Sequence, residues 1–214
     1  MRLCNVFFGL VVGCLCGCST MYYGTMEKLG VHKREILMDR VKSARDTQTE
    51  TKEQFLTAME QFKSVVKFDG GNLEKEYGKL NSALQESESA AVAVRERITS
   101  VEDVSAALFK EWAAEIKQYN SDSLRRVSQQ KYDATQGKYR DLISAMKKAE
   151  SRLEPVLVLL RDQVLFMKHN LNARAVAGLS QELASVQTNV DQLVSDMEKA
   201  IAEADVFISS LQAE

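Results

Sequence analysis

Residues 73–119 read LEKEYGKLNSALQESESAAVAVRERITSVEDVSAALFKEWAAEIKQY. Stepping alternately four and three residues from Leu73 gives Tyr77, Leu80, Leu84, Ser87, Ala91, Val94, Ile98, Val101, Ser105, Leu108, Trp112, Glu115 and Tyr119. Eleven of those fourteen positions are apolar, and no Pro interrupts them. A 3.5-residue repeat sustained this long predicts one straight helix whose narrow apolar seam must meet partner helices. At about 1.5 Å per residue such a rod is about 70 Å long.

The same periodicity recurs on both sides of this stretch. Upstream the seam runs Leu37, Val41, Ala44, Gln48, Thr51, Phe55, Ala58, Phe62 and Val65, with a polar middle at Gln48 and Thr51. The break Phe68-Asp69-Gly70-Gly71-Asn72 supplies glycines to end one helix and Asn72 to cap the next. So short a connection makes the two helices antiparallel neighbours. A second polar turn, Tyr119-Asn120-Ser121-Asp122, precedes a seam of Tyr132, Thr135, Tyr139, Leu142, Met146, Ala149, Leu153, Val156, Leu160, Gln163 and Met167. Pro155 lies inside that run, removes the hydrogen bond to the Ser151 carbonyl and predicts a bend rather than a boundary. The last seam, Val176, Leu179, Leu183, Val186, Val190, Leu193, Met197, Ala200, Ala204, Phe207 and Leu211, is apolar at every step but out of phase with the one before. Residues 168–173 are therefore either a turn, with Asn172 as N-cap, or a stutter in one very long helix; four pieces of similar length favour the turn. The fold expected is all-α: an elongated antiparallel helical bundle or coiled coil of three to four long helices, forming one domain over residues 31–214.

Composition narrows the function. The chain of 214 residues has a net charge of −2 and no basic block, Lys33-Arg34, Arg125-Arg126 and Lys147-Lys148 being isolated pairs, which argues against a nucleic-acid partner and against an anionic-membrane binder. One Pro and ten Gly suit few, long helices. All four cysteines, Cys4, Cys14, Cys16 and Cys18, fall in the first eighteen residues, so the body holds neither a disulfide framework nor a thiolate metal site. Met1-Arg2 and the apolar run Leu3 to Leu15 fit the start of an export signal and are too short for a membrane span of about 20 residues.

That run ends in Leu15-Cys16-Gly17-Cys18-Ser19, which resembles the bacterial lipobox. The resemblance implies a signal peptide over 1–17, an acylated Cys18 as mature N-terminus and a tether over 18–30. Ser19 after the cysteine implies transport to the outer membrane, with the body facing the periplasm. Val11-Val12-Gly13-Cys14 is a weaker match, and an ordinary signal peptide or uncleaved anchor is the plainer alternative.

Chemistry is sparse in the body. His32 sits among Lys33, Arg34 and Glu35 and reads as part of a solvated face. His169 lies at a helix end, where an imidazole can cap carbonyls. No phosphate loop, nucleophile elbow, dinucleotide fingerprint or paired Glu/His metal motif occurs. The carboxylates alternate with Lys and Arg and read as surface ion-pair partners. Trp112, on the seam, reads as core. The sequence thus predicts no enzyme and no cofactor. The oddest cluster is His169, Asn170, Asn172 and Arg174, polar groups beside apolar Leu165 and Phe166. It is either a buried polar layer that sets helix register or an interaction patch.

Several strings carry a further resemblance: GVHKREILMDRV (30–41), FKSVVKFDGG (62–71), VRERI (94–98), SLRR (123–126), RLEPV (152–156) and RDQVLFMKHNLNARA (161–175). Together these are similar to the Gram-negative bacterial lipoprotein family known as domain of unknown function 2959, over nearly all of the chain after the export signal. That resemblance implies a helical envelope protein and carries over no functional residues. Some relatives bear the label of DNA-repair ATPases; the missing phosphate loop and the export signal argue against that label here. The function expected is a non-enzymatic outer-membrane lipoprotein, a periplasmic structural or protein-interaction module held to the membrane by its lipid and bound to an envelope protein partner. A membrane-remodelling or lipid-handling helical protein is the alternative.

Overall fold

The structure, a computed structural model, describes residues 32–213 apart from Asp69 and Asn172, and the side chains of residues 173–175 are not described. Four helices follow one another: α1 (Lys33–Val66), α2 (Leu73–Ile116), α3 (Asp122–His169) and α4 (Ala173–Gln212), with no strand among the described residues. The seam of α1 is buried at all nine positions read from the sequence. Its polar middle is buried too, with Gln48 and Thr51 inside the bundle.

Each start and stop has a local cause. Gly70 and Gly71 take φ of 152° and 115°, a region costly for any residue with a Cβ, which lets the chain reverse between α1 and α2. Asn72 then caps α2, its side chain accepting from the Lys75 amide at 3.0 Å, while Glu74 and Glu76 favour the positive end of the helix dipole. Ser121 does the same for α3, accepting from the Leu124 amide at 3.4 Å. Helix α3 runs unbroken through Pro155, which lies on the exposed side, where the carbonyl of Ser151 can turn to solvent.

Contacts fix the topology. Each helix packs on its neighbours in sequence, and α1 closes the ring against α4. Arg34 at the start of α1 donates to the Leu211 carbonyl at the end of α4 at 2.9 Å. Further along, Arg45 reaches Asp205 at 2.8 Å and Lys52 reaches Glu198 at 3.6 Å. As numbers rise on α1 they fall on α4, so the two run antiparallel. Across α2 and α3, Lys147–Glu102, Arg95–Glu154 and Arg161–Glu88 at 2.9, 3.2 and 2.7 Å give the same sense. These pairs are exposed and add little stability, yet they select one register among those the apolar stripes allow. The result is an up-down-up-down four-helix bundle, with α1 about 50 Å and α3 about 70 Å long at about 1.5 Å per residue.

Helix α2 departs from its expected seam near the end. Leu73 to Ser105 follow the four-three steps, but Phe109 and Ile116 are then buried in place of Leu108, Trp112, Glu115 and Tyr119, and the helix stops at Ile116. Drift against a 3.5-residue repeat does not account for this, because the seams of α3 and α4 keep the four-three steps from Thr135 to Met167 and from Val176 to Leu211. Glu111 lies level with Lys33, where α1 begins and α4 ends, so beyond that level α2 has only α3 to pack against and its buried face turns.

Two predictions follow the register. Ile98 is fully buried and Gln85 exposed. Ile98→Asp should cost about 3 kcal/mol or more and Gln85→Asp under about 0.5 kcal/mol; equal urea midpoints would refute the seam. Gln48 is different: neither amide atom finds a hydrogen-bond partner among the described residues. Gln48→Met should therefore raise stability by about 1 kcal/mol at unchanged helicity. A lower melting temperature would mean that the amide is satisfied in solution.

Candidate interaction surface

The α3–α4 end resolves the choice between turn and stutter. Helix α3 stops at His169 and α4 begins at Ala173, so the two are separate helices and not one long helix with a stutter. Asn170 is the C-cap: its amide N–H donates to the Met167 carbonyl at 3.0 Å, and its side-chain Nδ2 donates to the Phe166 carbonyl at 2.9 Å. Two carbonyls left over by the helix end are thereby satisfied. His169 is exposed in the last turn beside Lys168, where positive charge suits the dipole. Asn172 and the side chain of Arg174 lie outside the described residues, so of the four cluster members the structure places His169 and Asn170. Neither of these two is buried, and neither forms an internal polar layer.

What surrounds them is apolar. Leu165, Phe166 and Leu171 are all exposed large side chains at this end. Phe166 lies against Gly178 of α4, where an added Cβ would stand 3.3 Å from the ring. The ring flanks an open hollow of about 400 Å³, together with Leu159, Asp162, Gln163, Gly178 and Glu182. Local helix capping and an apolar rim explain the phase failure better than a register-setting core does. Cys18 and the tether lie outside the described residues.

One ion cluster escapes the alternating-charge reading. Asp196, on α4, is 5% exposed rather than at the surface. Its Oδ1 lies 3.0 Å from Lys148 Nζ and its Oδ2 accepts from Arg152 Nε at 3.2 Å, both from α3. Arg152 also donates to the Gln192 Oε1 at 3.0 Å. Burial pushes the Asp196 carboxyl up, but the hydrogen bonds from Lys148 and Arg152 and the charge of Lys199 more than offset it and hold the group below the usual aspartate range. A carboxyl held ionised by two opposing cations is poorly suited to give or take a proton, and its geometry clamps α3 to α4. The available sequence signal was its place beside the seam residue Met197, with Lys148 and Arg152 four apart on the facing helix.

At the opposite end, Arg34, Leu108, Glu111, Trp112, Glu115, Thr135 and Leu211 line a shallow hollow of about 170 Å³. Trp112 is half-buried there and donates to Ser128 Oγ at 3.0 Å. Its ring meets Tyr132 edge-on at 5.6 Å, within a chain of rings that includes Phe109, Tyr139 and Phe207. Burial raises the Tyr139 phenol above its ordinary range, and a hydrogen bond with Ser105 only partly counters it. Among the described residues no group of three or more His, Cys, Asp or Glu comes together to hold a metal ion, and no helix is long and apolar enough to cross a membrane.

The chain belongs to the family described as protein of unknown function (DUF2959), whose model matches residues 22–211. No curated protein matches the chain.

The Asp196 clamp has a signed pH dependence. A depressed folded-state pKa contributes stability above the unfolded value near ~4, and that stability is lost as pH falls through the folded value. Asp196→Asn should lower stability by about 2 kcal/mol at neutral pH, since two charge-assisted hydrogen bonds weaken. The gap between wild type and variant should close as acid protonates the wild-type carboxyl, a trend that urea titrations across the acid range would follow. A gap that persists in strong acid would show that Asp196 acts through packing.

Proposed function

We propose that this protein is a non-enzymatic lipoprotein of the outer membrane, a periplasmic interaction module that holds a protein-binding end away from the bilayer. The observation that carries this reading is the placement of two features at opposite ends of one rod. The segment leading from the proposed acylation site at Cys18 enters α1 beside the end of α4, as the Arg34 contact with Leu211 fixes. The exposed Leu165, Phe166 and Leu171, with His169 and Asn170, sit where α3 turns into α4. The 40 residues of α4 separate the two by about 60 Å. Long flanks laced with exposed ion pairs present few apolar groups, so the ends are where a partner gains most from burial. An acyl anchor of two or more chains holds such a rod at the membrane.

The test has two arms. Mass spectrometry of the wild-type protein from the envelope should find Cys18 acylated, and Cys18→Ala should release the protein to the periplasm or leave it uncleaved in the inner membrane. Cross-linking in cells should capture a protein partner from sites near Leu171. Phe166→Ser should reduce that capture at least tenfold with circular dichroism unchanged, because Phe166 is an exposed side chain and substitutions at such positions cost within about 0.5 kcal/mol. Arg174→Ala should reduce it as well. Unmodified Cys18 would remove the anchor, and undiminished capture would move the interaction elsewhere on the rod.

A further inference from the structure

The bundle is not flush at the end where α1 begins. Lys33 and Arg34 of α1 and Leu211 of α4 lie level with Glu111, Trp112 and Thr135, as the Lys33–Glu111 pair at 2.8 Å and the shared hollow fix. Beyond that level one further turn of α2, ending at Ile116, and the first turns of α3 continue as a hairpin. Helix α3 buries no side chain before Thr135, so its first thirteen residues, about 20 Å of helix, project past α1 and α4. Every residue from Lys117 to Val127 is exposed.

The composition of this overhang is unlike the rest of the surface. Tyr119, Leu124 and Val127 are exposed by 40%, 57% and 51%. Leu124, Val127 and Lys131 fall on one stripe of α3, at spacings of three and four residues. From Lys117 to Ala134 the chain carries Lys117, Arg125, Arg126 and Lys131 against the two carboxylates of Asp122 and Asp133, a net +2 within a protein of −2. Arg125 pairs with Asp122, whereas Lys117, Arg126 and Lys131 have no carboxylate partner among the described residues. The acids Glu111 and Glu115 stay at the base of the hairpin, beside Arg34.

We infer that this hairpin tip docks on an anionic bilayer surface, with the cations on lipid phosphates and Tyr119, Leu124 and Val127 entering the headgroup layer. Large apolar side chains interleaved with Lys and Arg are the chemistry that binds such an interface, and each basic residue near an anionic surface adds to the attraction. The occupant is a bilayer rather than a protein because the tip lies at the end where the anchor-bearing segment enters. The fourteen residues from Cys18 to Val31 can span at most about 45 to 50 Å. That reach exceeds the projection of the tip, so an anchored chain can lower the tip onto its own membrane. The inference rests on the lipoprotein reading for this orientation. Docking at a second point would stand the rod up from the bilayer and aim its far end into the periplasm.

A single thiol in the body tests it, because all native cysteines lie at or before Cys18. The processed full-length protein carrying Val127→Cys, labelled with an environment-sensitive fluorophore, is reconstituted with phosphatidylcholine vesicles with and without phosphatidylglycerol. Co-flotation with both compositions reads the anchor; a blue shift and quenching by brominated acyl chains read the tip. The expected result is flotation with both, and a shifted, quenched label only when phosphatidylglycerol is present. Arg125→Glu with Arg126→Glu should reduce that quenching on the order of tenfold without loss of helicity or flotation. Flotation with a label that stays in water in both compositions overturns the docking and leaves the anchor intact. Equal quenching in both compositions overturns the anionic surface as the partner. A shift that grows with protein concentration and needs no vesicles overturns it in favour of a second copy of the chain. Failure to float on neutral vesicles removes the anchor, and the label on phosphatidylglycerol vesicles then still decides the tip: quenched supports docking, unquenched overturns it.

Discussion

Burial of four narrow apolar stripes against one another is the constraint on which this structure depends. Most helical stability in proteins comes from packing an apolar face and not from propensity, so the four helices depend on one another for their coverage. Each stripe is about as wide as a coiled-coil seam, so it can be covered only by neighbours running nearly parallel to it over the full length. Phe55, Phe62, Ile98, Leu142, Met146, Leu153 and Phe207 sit in the resulting core with almost no exposure. The polar residues inside it are short or locally satisfied in most cases: the Ser87 hydroxyl donates to the Ala83 carbonyl at 2.8 Å and the Ser105 hydroxyl to the Glu102 carbonyl at 2.9 Å. Gln54 Nε2 donates to the Ala83 carbonyl at 3.2 Å, and that antiparallel register brings Thr51 level with Ser87. Gln48 stands one turn further on, so the mid-bundle is a polar waist. Such a waist costs stability and penalises any sliding that would set Gln48 against larger apolar groups.

How legible this was depended on which physical rule set each position. The α1 seam was readable throughout because α1 has α2 and α4 beside it along its length, so one face stays covered. The α2 seam was readable to Ser105 and then lost, since α1 and α4 run out near Glu111 and burial moves to Phe109 and Ile116, a change of neighbours that no repeat in the α2 sequence announces. Caps at Asn72 and Ser121 were readable because side-chain chemistry next to a break has few alternatives. The role of Asn170 was half visible: its failure to fit the heptad was plain, but only the backbone showed a C-cap instead of a polar layer. Asp196 was hidden by averaging, because alternating charge describes a helix surface and says nothing about a position beside the seam that faces a neighbour. The hairpin overhang was hidden in the same way. Arg125-Arg126 is an isolated pair in sequence, and its meaning depends on which helices end before it.

The flanks and the ends of the rod obey different rules. Along the flanks, Lys and Arg from one helix find carboxylates on the next, as in Arg45–Asp205, Arg161–Glu88 and Lys147–Glu102. Matched charges of this kind suppress sticking and fix register more than they stabilise. At the ends the helices run out of neighbours, and there most of the exposed large apolar side chains collect, Leu165, Phe166 and Leu171 at one and Tyr119, Leu124 and Val127 at the other, while Val92, Val158 and Val206 stand singly along the flanks. Membership in the family over residues 22–211 spans both ends, so neither is an appendage to the family's fold.

The overhang also has to be reconciled with helix physics. Unpacked terminal turns fray, and among the first thirteen residues of α3 only Ser128 and Tyr132 are even half-buried. They are held by local devices instead. Ser121 caps the first turn, Asp122 pairs with Arg125, and Gln129 donates to Asp133 at 2.9 Å one turn on. At the base, Phe109 and Trp112 of α2 grip Tyr132 edge-on from two sides, and the indole donates to Ser128. Edge-to-face aromatic pairs contribute about 0.5–1.5 kcal/mol each beyond their area burial. Trp112 is half-buried because its task is to clamp two helices where the other two have ended. A chain that needed only a closed bundle could have turned from α2 to α3 directly above Leu211. Instead it sustains three exposed turns of cationic, apolar-tipped helix with capping and aromatic support, the expense expected of a segment kept for what it touches outside the bundle.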